Sequence, residues 1–264
     1  MNNVILRADE NLIYTIKNRV SNLDKGELIE ENGYIIFSIG VSTIDGHLSG
    51  GICMDDSKAE DFVEHIFRFF KERGFGFSIW VKDHGNVNLE SILKSRGLSP
   101  AREKGSPIMV CNKVIDIKPL HEDFYMKKIT SNEIEDFKKI IINAFDKEEN
   151  VADAMISERI VNHPDWDGIL IYEKSTNKPV ATGAVVNNGD TAGIYYIATL
   201  EEYRGKGLGQ FVASETTNMG FNKGANLVVL QASSLGESVY VKINYNTVSY
   251  YRGYRVEEKI LQNS

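Results

Sequence analysis

Cysteine is scarce in this chain. Only Cys53 and Cys111 occur among 264 residues. Two cysteines without metal-ligand spacing exclude a disulfide framework and the common zinc patterns, so buried free thiols are expected, with a single bridge between them as the other reading. The five histidines (His47, His65, His84, His121, His163) are scattered, with no His-x-x-x-His and no His/Cys cluster, and no metal site is expected. Positive charge is also in deficit. A net charge of -7 argues against nucleic acid or an anionic membrane as the main partner. No apolar run approaches the ~20 residues of a membrane span. The first ten residues carry no basic stretch followed by an apolar core, so no signal peptide is read there and a cytoplasmic location is expected.

The length suits one large domain or two small ones. Residues 114–123 (Val-Ile-Asp-Ile-Lys-Pro-Leu-His-Glu-Asp) read as a linker, with a proline inside a mixed polar run. The expected division is 1–118 and 119–264. After the linker, 124–129 reads as a strand, and Thr130 with Glu133 as a capping box. The helix that follows has apolar residues at Ile134, Phe137, Ile141, Ala144 and Phe145. A second helix is expected over 152–161. Strands are expected over 169–172, 180–186 and 193–199. A helix carrying Leu208, Phe211, Val212 and Met219 then ends at Lys223 and Gly224. A strand over 227–230, a short helix over 236–242 and a strand pair over 245–248 and 250–256 complete the order.

Part of this plan occurs twice. Phe-Phe-Lys-Glu-Arg-Gly (69–74), Phe-Ser-Ile-Trp-Val (77–81) and Ile-Leu-Lys-Ser-Arg-Gly-Leu (92–98) run parallel to Gly-Phe-Asn-Lys-Gly (220–224), Leu-Val-Val-Leu (227–230) and Val-Tyr-Val-Lys-Ile-Asn-Tyr (239–245). The pattern reads as a diverged internal duplication. Two unrelated α/β pieces that share common grammar are the alternative.

The most informative stretch is Tyr-Arg-Gly-Lys-Gly-Leu-Gly-Gln (203–210), between an apolar strand and an amphipathic helix. Glycines at 205, 207 and 209 let the backbone approach a ligand with no Cβ in the way. At a helix start their N–H groups converge, and the helix dipole adds positive potential. A pyrophosphate suits such a nest. Two other glycine motifs fail on context. A Walker loop needs Lys-Ser/Thr after its last glycine region, and Gly209 is followed by Gln210. A Rossmann loop has a different glycine spacing inside a parallel βαβ unit. Counting back from Gly74 and Gly224 sets Met54-Asp-Asp-Ser-Lys-Ala59 against Arg204-Gly-Lys-Gly-Leu-Gly209. The first copy has no glycine there, two carboxylates, and a capping box expected at Ser57 and Glu60. One copy is therefore expected to bind a phosphorylated cofactor and the other not.

Tyr-Ile-Ala-Thr-Leu-Glu-Glu-Tyr-Arg-Gly-Lys-Gly-Leu-Gly (196–209) resembles the acetyl-CoA-binding motif of the GCN5-related N-acetyltransferase (GNAT) superfamily, Gln/Arg-x-x-Gly-x-Gly/Ala after a strand. A second block, 230–245, resembles the family segment that ends in Tyr-x-Lys-Leu-Gly-Phe, with Asn244 for the usual glycine and Tyr245 for phenylalanine. The N-terminal half is similar to the degenerate first domain of tandem members. The resemblance implies an α/β (α+β) fold of two GNAT-like domains. Each is a mixed, mostly antiparallel sheet flanked by helices, the C-terminal one complete.

It also implies roles. Arg204, Gly205, Lys206, Gly207, Leu208, Gly209 and Gln210 would hold the pyrophosphate of acetyl-CoA. Ile197, Ala198 and Thr199 would end a strand that carries a bulge and separates from the next one, with the pantetheine arm filling the gap and pairing with their backbone, and an N–H there would polarise the thioester carbonyl. Tyr240 would give a proton to the leaving thiolate; the alternative is one more packing tyrosine. Glu173, Asp190 and Glu237 have no motif to mark a general base. His163 and Trp166, in Asn-His-Pro-Asp-Trp (162–166), either line the acceptor site or form a turn around a half-buried Trp.

The expected activity is direct transfer of an acetyl group from acetyl-CoA to a primary amine of a small molecule or peptide, without metal. An acetyl-CoA sensor, or a transferase of another acyl or aminoacyl group, is the alternative. The N-terminal copy is expected to shape the acceptor cleft or to mediate a homodimer.

Overall fold

The same run of elements is laid down twice along the chain. The computed structural model describes residues 2–234 and 236–261. Helix α1 (Asn2–Ser21) precedes β1 (Glu27–Glu31), β2 (Tyr34–Ser38), β3 (Gly50–Cys53), α2 (Ala59–Arg73), β4 (Phe77–Lys82), α3 (Val87–Ser95) and β5 (Ser106–Cys111). The chain continues with β6 (Phe124–Lys128), α4 (Ile134–Phe145), α5 (Glu149–Ala154), α6 (Glu158–Val161), β7 (Trp166–Glu173), β8 (Lys178–Asn188) and β9 (Thr191–Thr199). It ends with α7 (Leu208–Asn222), β10 (Leu227–Gln231), α8 (Glu237–Lys242), β11 (Asn246–Val256) and α9 (Glu258–Leu261). The order β1-β2-β3-α2-β4-α3-β5 recurs as β7-β8-β9-α7-β10-α8-β11.

Packing divides the chain differently from sequence. One unit holds the residues up to 15 and 108–248; the other holds 16–107 and those from 249 on. In the first unit the strands run β5-β10-β9-β8-β7-β6, antiparallel except for β9 and β10. In the second they run β1-β2-β3-β4-β11, antiparallel except for β3 and β4. The last strand of each run is thus built into the other run's sheet. β5 pairs with β10 from Ile108↔Gln231 to Cys111↔Val228, and β11 pairs with β4 from Tyr251↔Lys82 to Val256↔Phe77. The division expected at 118/119 separates the two runs of elements but not the two units of packing. We retain it as a proposal about the copies alone.

Local chemistry explains most element boundaries. Thr130 and Glu133 form the expected capping box, here on a 3-10 turn that leads into α4. The expected box at Ser57 and Glu60 does not form. Asp55 is the cap, accepting from the Ser57 N–H at 3.0 Å, because the first turn is 3-10 and moves the cap two residues upstream. The helix expected over 152–161 is two pieces, since α5 ends at Ala154 and the extended Ser157 starts α6 as its N-cap. The strand pair expected over 245–256 is the single strand β11. In α4, Phe145 is exposed and Ile140 is buried instead, because the core-facing stripe drifts around the helix.

Each unit has its own core. Phe62, Ile66 and Phe70 of α2 pack with Phe77, Ile79 and Val81 of β4. Ala213 of α7 packs with Val185, Ile194, Val228 and Leu230 of the other sheet, and Tyr240 and Tyr245 close that cluster. The first half of α1 is anchored to β8 and β9. Asn11, fully buried, donates to the Val186 carbonyl and accepts from the Tyr195 hydroxyl at 2.9 Å, and Arg7 donates to Thr191 Oγ1 at 2.9 Å.

Candidate active site

A sheet normally leaves no backbone edge free in its interior, yet β9 and β10 separate. They pair at Leu227↔Thr191, Val228↔Ala192 and Val229↔Gly193 and no further, although β9 runs on to Thr199. The other side of β9 shows why. Its register against β8 shifts between Thr182 and Ala184, so Tyr196 and Ile197 stand against Gly183 alone. Tyr196 takes φ +57°, a left-handed value in a non-glycine residue. This bulge turns β9 away from β10 and leaves its edge from Ile194 onward without a strand partner on that side. Ile197, Ala198 and Thr199 lie on this edge. Gly183 leaves room for the crossing, since a Cβ there would meet Val212 and Ile197 at 2.5 and 2.6 Å.

Past Thr199 the chain makes a 3-10 turn (Glu201–Tyr203) and enters the glycine loop. Gly205 and Gly207 have φ +80° and +81°, and a Cβ on either would meet nothing within 4 Å. Their glycine character serves the backbone conformation and the open space in front of it. Gly207 is the N-cap of α7 and supplies no side-chain acceptor. The first helical bond runs from Phe211 N–H to the Gly207 carbonyl. Among the described residues, the N–H groups of 205–210 have no protein acceptor. The result is a run of unpaired donors at a helix N-terminus, an arrangement suited to an anion. Thr199 Oγ1 is buried without a partner and lies 3.4 Å from where a Cβ on Gly209 would stand. These features fit the pyrophosphate and arm of acetyl-CoA.

The two loop cations do not crowd the donors. Arg204 Nε donates to the Thr199 carbonyl at 3.4 Å. Lys206 Nζ lies 4.7 Å above the ring of Tyr203, whose hydroxyl donates to Glu173 at 3.0 Å. An open groove of about 820 Å³ lies on this side of the loop, lined by Phe124, Glu173, Lys174 and Lys206 among others. It is not the gap between β9 and β10. Glu173 is held below the usual carboxylate range by its bonds from Thr176 and Tyr203 and by the nearby lysines. Asp190 pairs with Arg7 at 3.0 Å. Neither is placed as a base at the strand gap.

Tyr240 sits on α8 with its ring buried beside Tyr245, centroids 5.8 Å apart. Burial pushes its phenol well above the ordinary value, so the hydroxyl keeps its proton. It belongs to the same apolar cluster as Ile194 and Leu230, the residues that flank the point where the strands part. Asn244, which replaces the family's glycine, has φ +68°, the left-handed turn that asparagine tolerates. The aligned residue of the first copy, Gly97, has φ +77°. His163 and Trp166 lie at the start of β7, and Glu173, beside the glycine loop, is at its other end. Trp166 is buried, and the turn packs Asp165 against the Tyr14 hydroxyl of α1.

The first copy lacks both halves of the site. β3 pairs with β4 at three positions, as β9 does with β10, but it ends one residue later at Cys53. No free edge extends beyond. The carboxylates in place of the glycine loop are used internally. Asp55 binds the Ser57 N–H, and Asp56 binds the N–H groups of Asn88 and Leu89 at 2.8 and 3.0 Å, at the start of α3. The loop 39–49 lies along β4, with Ser78 Oγ donating to the Ile44 carbonyl and Trp80 Nε1 to that of Gly46.

Sequence reasoning missed α1, although Ala8, Leu12, Ile16 and Val20 recur at four-residue spacing and are all buried. It also missed Gln231 at the end of β10, for which nothing in the sequence is a signal.

Comparison with known proteins agrees with this geometry. Residues 134–245 match the model of the Acetyltransferase (GNAT) family. No curated protein matches the chain. Among solved structures, a GCN5-related N-acetyltransferase from Kribbella flavida superposes with a TM-score of 0.69 at 16% identity, covering 94% of this chain and 95% of that one. One from Sphaerobacter thermophilus gives 0.62 at 11% identity, with 86% and 81% covered. A tandem GNAT protein from the clavulanic acid biosynthesis pathway gives 0.60 at 9% identity, with 95% of each chain covered. At such identities the likeness is one of fold. It spans both copies, while the family match falls on the copy with the glycine loop. Residues 134–245 are therefore an acetyltransferase (GNAT) family domain, and the chain as a whole has the fold of solved tandem GNAT proteins.

Proposed function

We propose that the C-terminal copy binds acetyl-CoA and passes its acetyl group directly to a primary amine of a small molecule or peptide. The observation that carries this reading is the pairing of unsatisfied N–H donors at 205–210 with the free edge of β9 beside them. Gly205, Lys206, Gly207, Leu208, Gly209 and Gln210 hold the pyrophosphate, with Arg204 as a flanking cation. Ile197, Ala198 and Thr199 supply backbone partners for the arm. Acetyl-CoA supplies the activated acyl thioester. A backbone N–H at the bulge polarises the carbonyl, and Tyr240 holds the proton that the departing sulfur needs. The remaining contribution is positioning of the amine. Both cysteines are buried in free form, which supports a route without a thiol intermediate and a cytoplasmic location. The first copy serves a role without cofactor, for which a homodimer contact is our working assignment.

Calorimetric titration with acetyl-CoA tests the reading. One site per chain is expected, and Gly207→Glu abolishes it by placing a side chain and a negative charge in the nest. Two sites per chain, or none, would overturn it.

A further inference from the structure

Gln231 is the last residue of β10, and its side chain is in an unusual state. The amide nitrogen and oxygen are both closed to solvent, and neither has a hydrogen-bond partner among the described residues. Asn187 also has an open oxygen, but its nitrogen donates to the Gly220 carbonyl. Gln231 is the one amide among them left open at both ends. A buried donor and acceptor without partners are unfavourable, and native proteins keep few of them outside ligand sites.

Strand geometry places this side chain. Val228 and Leu230 face the cluster under α7 and α8, so Val229 and Gln231 take the opposite face of β10. Gly193, the partner of Val229, has Asn11 of α1 over it on that face. Gln231 stands two residues beyond this last pair, on the strand that borders the opening. Thr199 Oγ1, a buried hydroxyl at the end of β9, is likewise unpaired. On the same face below the opening, Asn11 is satisfied at both ends by Val186 and Tyr195.

The geometry points to Gln231 as the docking group for an amide of a ligand bound in the gap between β9 and β10. A carboxamide offers a donor and an acceptor side by side, and another amide answers both at once. An ammonium would satisfy only the oxygen, and a carboxylate only the nitrogen. Two sources carry this chemistry: the arm of acetyl-CoA, which is built of amides, and the backbone of a peptide acceptor. The inference rests on the acetyl-CoA reading above and adds to it a positioning residue.

The test is Gln231→Met, which keeps length and loses hydrogen bonding. It is titrated with acetyl-CoA and with 3′-phospho-ADP, which shares the anionic end but has no arm. CoA release is then measured with short peptide amines and with simple alkylamines. If the amide is the cofactor's, acetyl-CoA affinity falls about tenfold while 3′-phospho-ADP affinity is unchanged. If it is the acceptor's, acetyl-CoA affinity is unchanged and KM rises about tenfold for peptide amines alone, at constant kcat. Gln231→Asn, which keeps an amide but withdraws it, gives the same pattern and guards against misfolding of the first variant. Equal loss with acetyl-CoA and 3′-phospho-ADP, or wild-type values in every arm, overturns the inference while the cofactor reading stands. Failure of the wild-type protein to bind acetyl-CoA removes both.

Discussion

Asn244 shows how much a single position can be read from sequence. Its motif calls for glycine, its φ of +68° explains why, and asparagine is the substitute that left-handed geometry admits. Asn244→Gly should leave the melting temperature unchanged or slightly raised. Asn244→Val should cost about 1–3 kcal/mol, since a β-branched residue is strained there; urea unfolding measures it. Tyr240 is argued at the same scale. On the proposed mechanism Tyr240→Phe lowers turnover by about 10²-fold and leaves acetyl-CoA affinity unchanged, since the hydroxyl then acts only as the thiolate leaves. Unchanged turnover would return Tyr240 to a packing role. The cysteines are expected to be inert: burial pushes the Cys53 thiol up to about 12 and raises Cys111 as well. Native alkylation at neutral pH should be slow at both and complete only after unfolding. Lys206 and Gln231 mark the limit of such reading. A lysine in a glycine loop suggests a phosphate contact, and nothing in its sequence neighbours tells that its ammonium lies over Tyr203. Which groups a flexible side chain meets is decided by packing, not by its neighbours in sequence.

Elements were legible where their periodicity and punctuation agreed. The apolar strands 193–199 and 227–230, the Thr130–Glu133 box and the glycine start of α7 all carry local signals. The separation of β9 from β10 carries none, because it arises from a bulge against a third strand. Strand β11 is another case, held in its sheet by side chains distant in sequence. Glu90 of α3 accepts from both Nε and Nη2 of Arg252 at 2.9 Å and from the Tyr254 hydroxyl at 2.8 Å. Burial by itself would raise the Glu90 pKa, but the bonds from Tyr254, Arg252 and Lys94 prevail and hold it below its ordinary value of 4.5. A lowered folded-state pKa means that this stabilisation is complete above the unfolded value and fades as pH falls through the folded one. Glu90→Gln should therefore cost about 1–3 kcal/mol near neutral pH, with the gap to wild type closing below about pH 4.5. Unfolding curves across that range check the sign.

At the scale of the whole molecule the two copies are interdependent, because each sheet is finished by a strand of the other run. Residues 119–264 alone lack β5, the partner of β10, and also lack Asn11, which holds the Tyr195 hydroxyl. Residues 1–118 alone lack β11 against β4. Expressed separately, each half should show no cooperative thermal transition, and co-expression should restore one. Two independent transitions would show that the exchange is dispensable. The first ~15 residues matter in the same way, since deleting α1 up to Thr15 uncovers the buried face of β8 and β9.

The sequence by itself determined the family of residues 134–245, the glycine loop and the absence of that loop from the first copy. These depend on residue types at fixed short spacing: glycines where the backbone must turn left-handed or approach an anion, carboxylates where it must not. Tertiary structure alone decided which strand completes which sheet, where α1 packs, and which buried amide is left open beside the gap; the bulge that opens β9 from β10 was implied by the family resemblance and not by the strand's own residues. Strand pairing joins residues more than a hundred positions apart, as in Val228↔Cys111 and Tyr251↔Lys82. An apolar strand can satisfy its backbone against any of several edges, so its choice of edge is made by the assembled core and not by the strand's own residues.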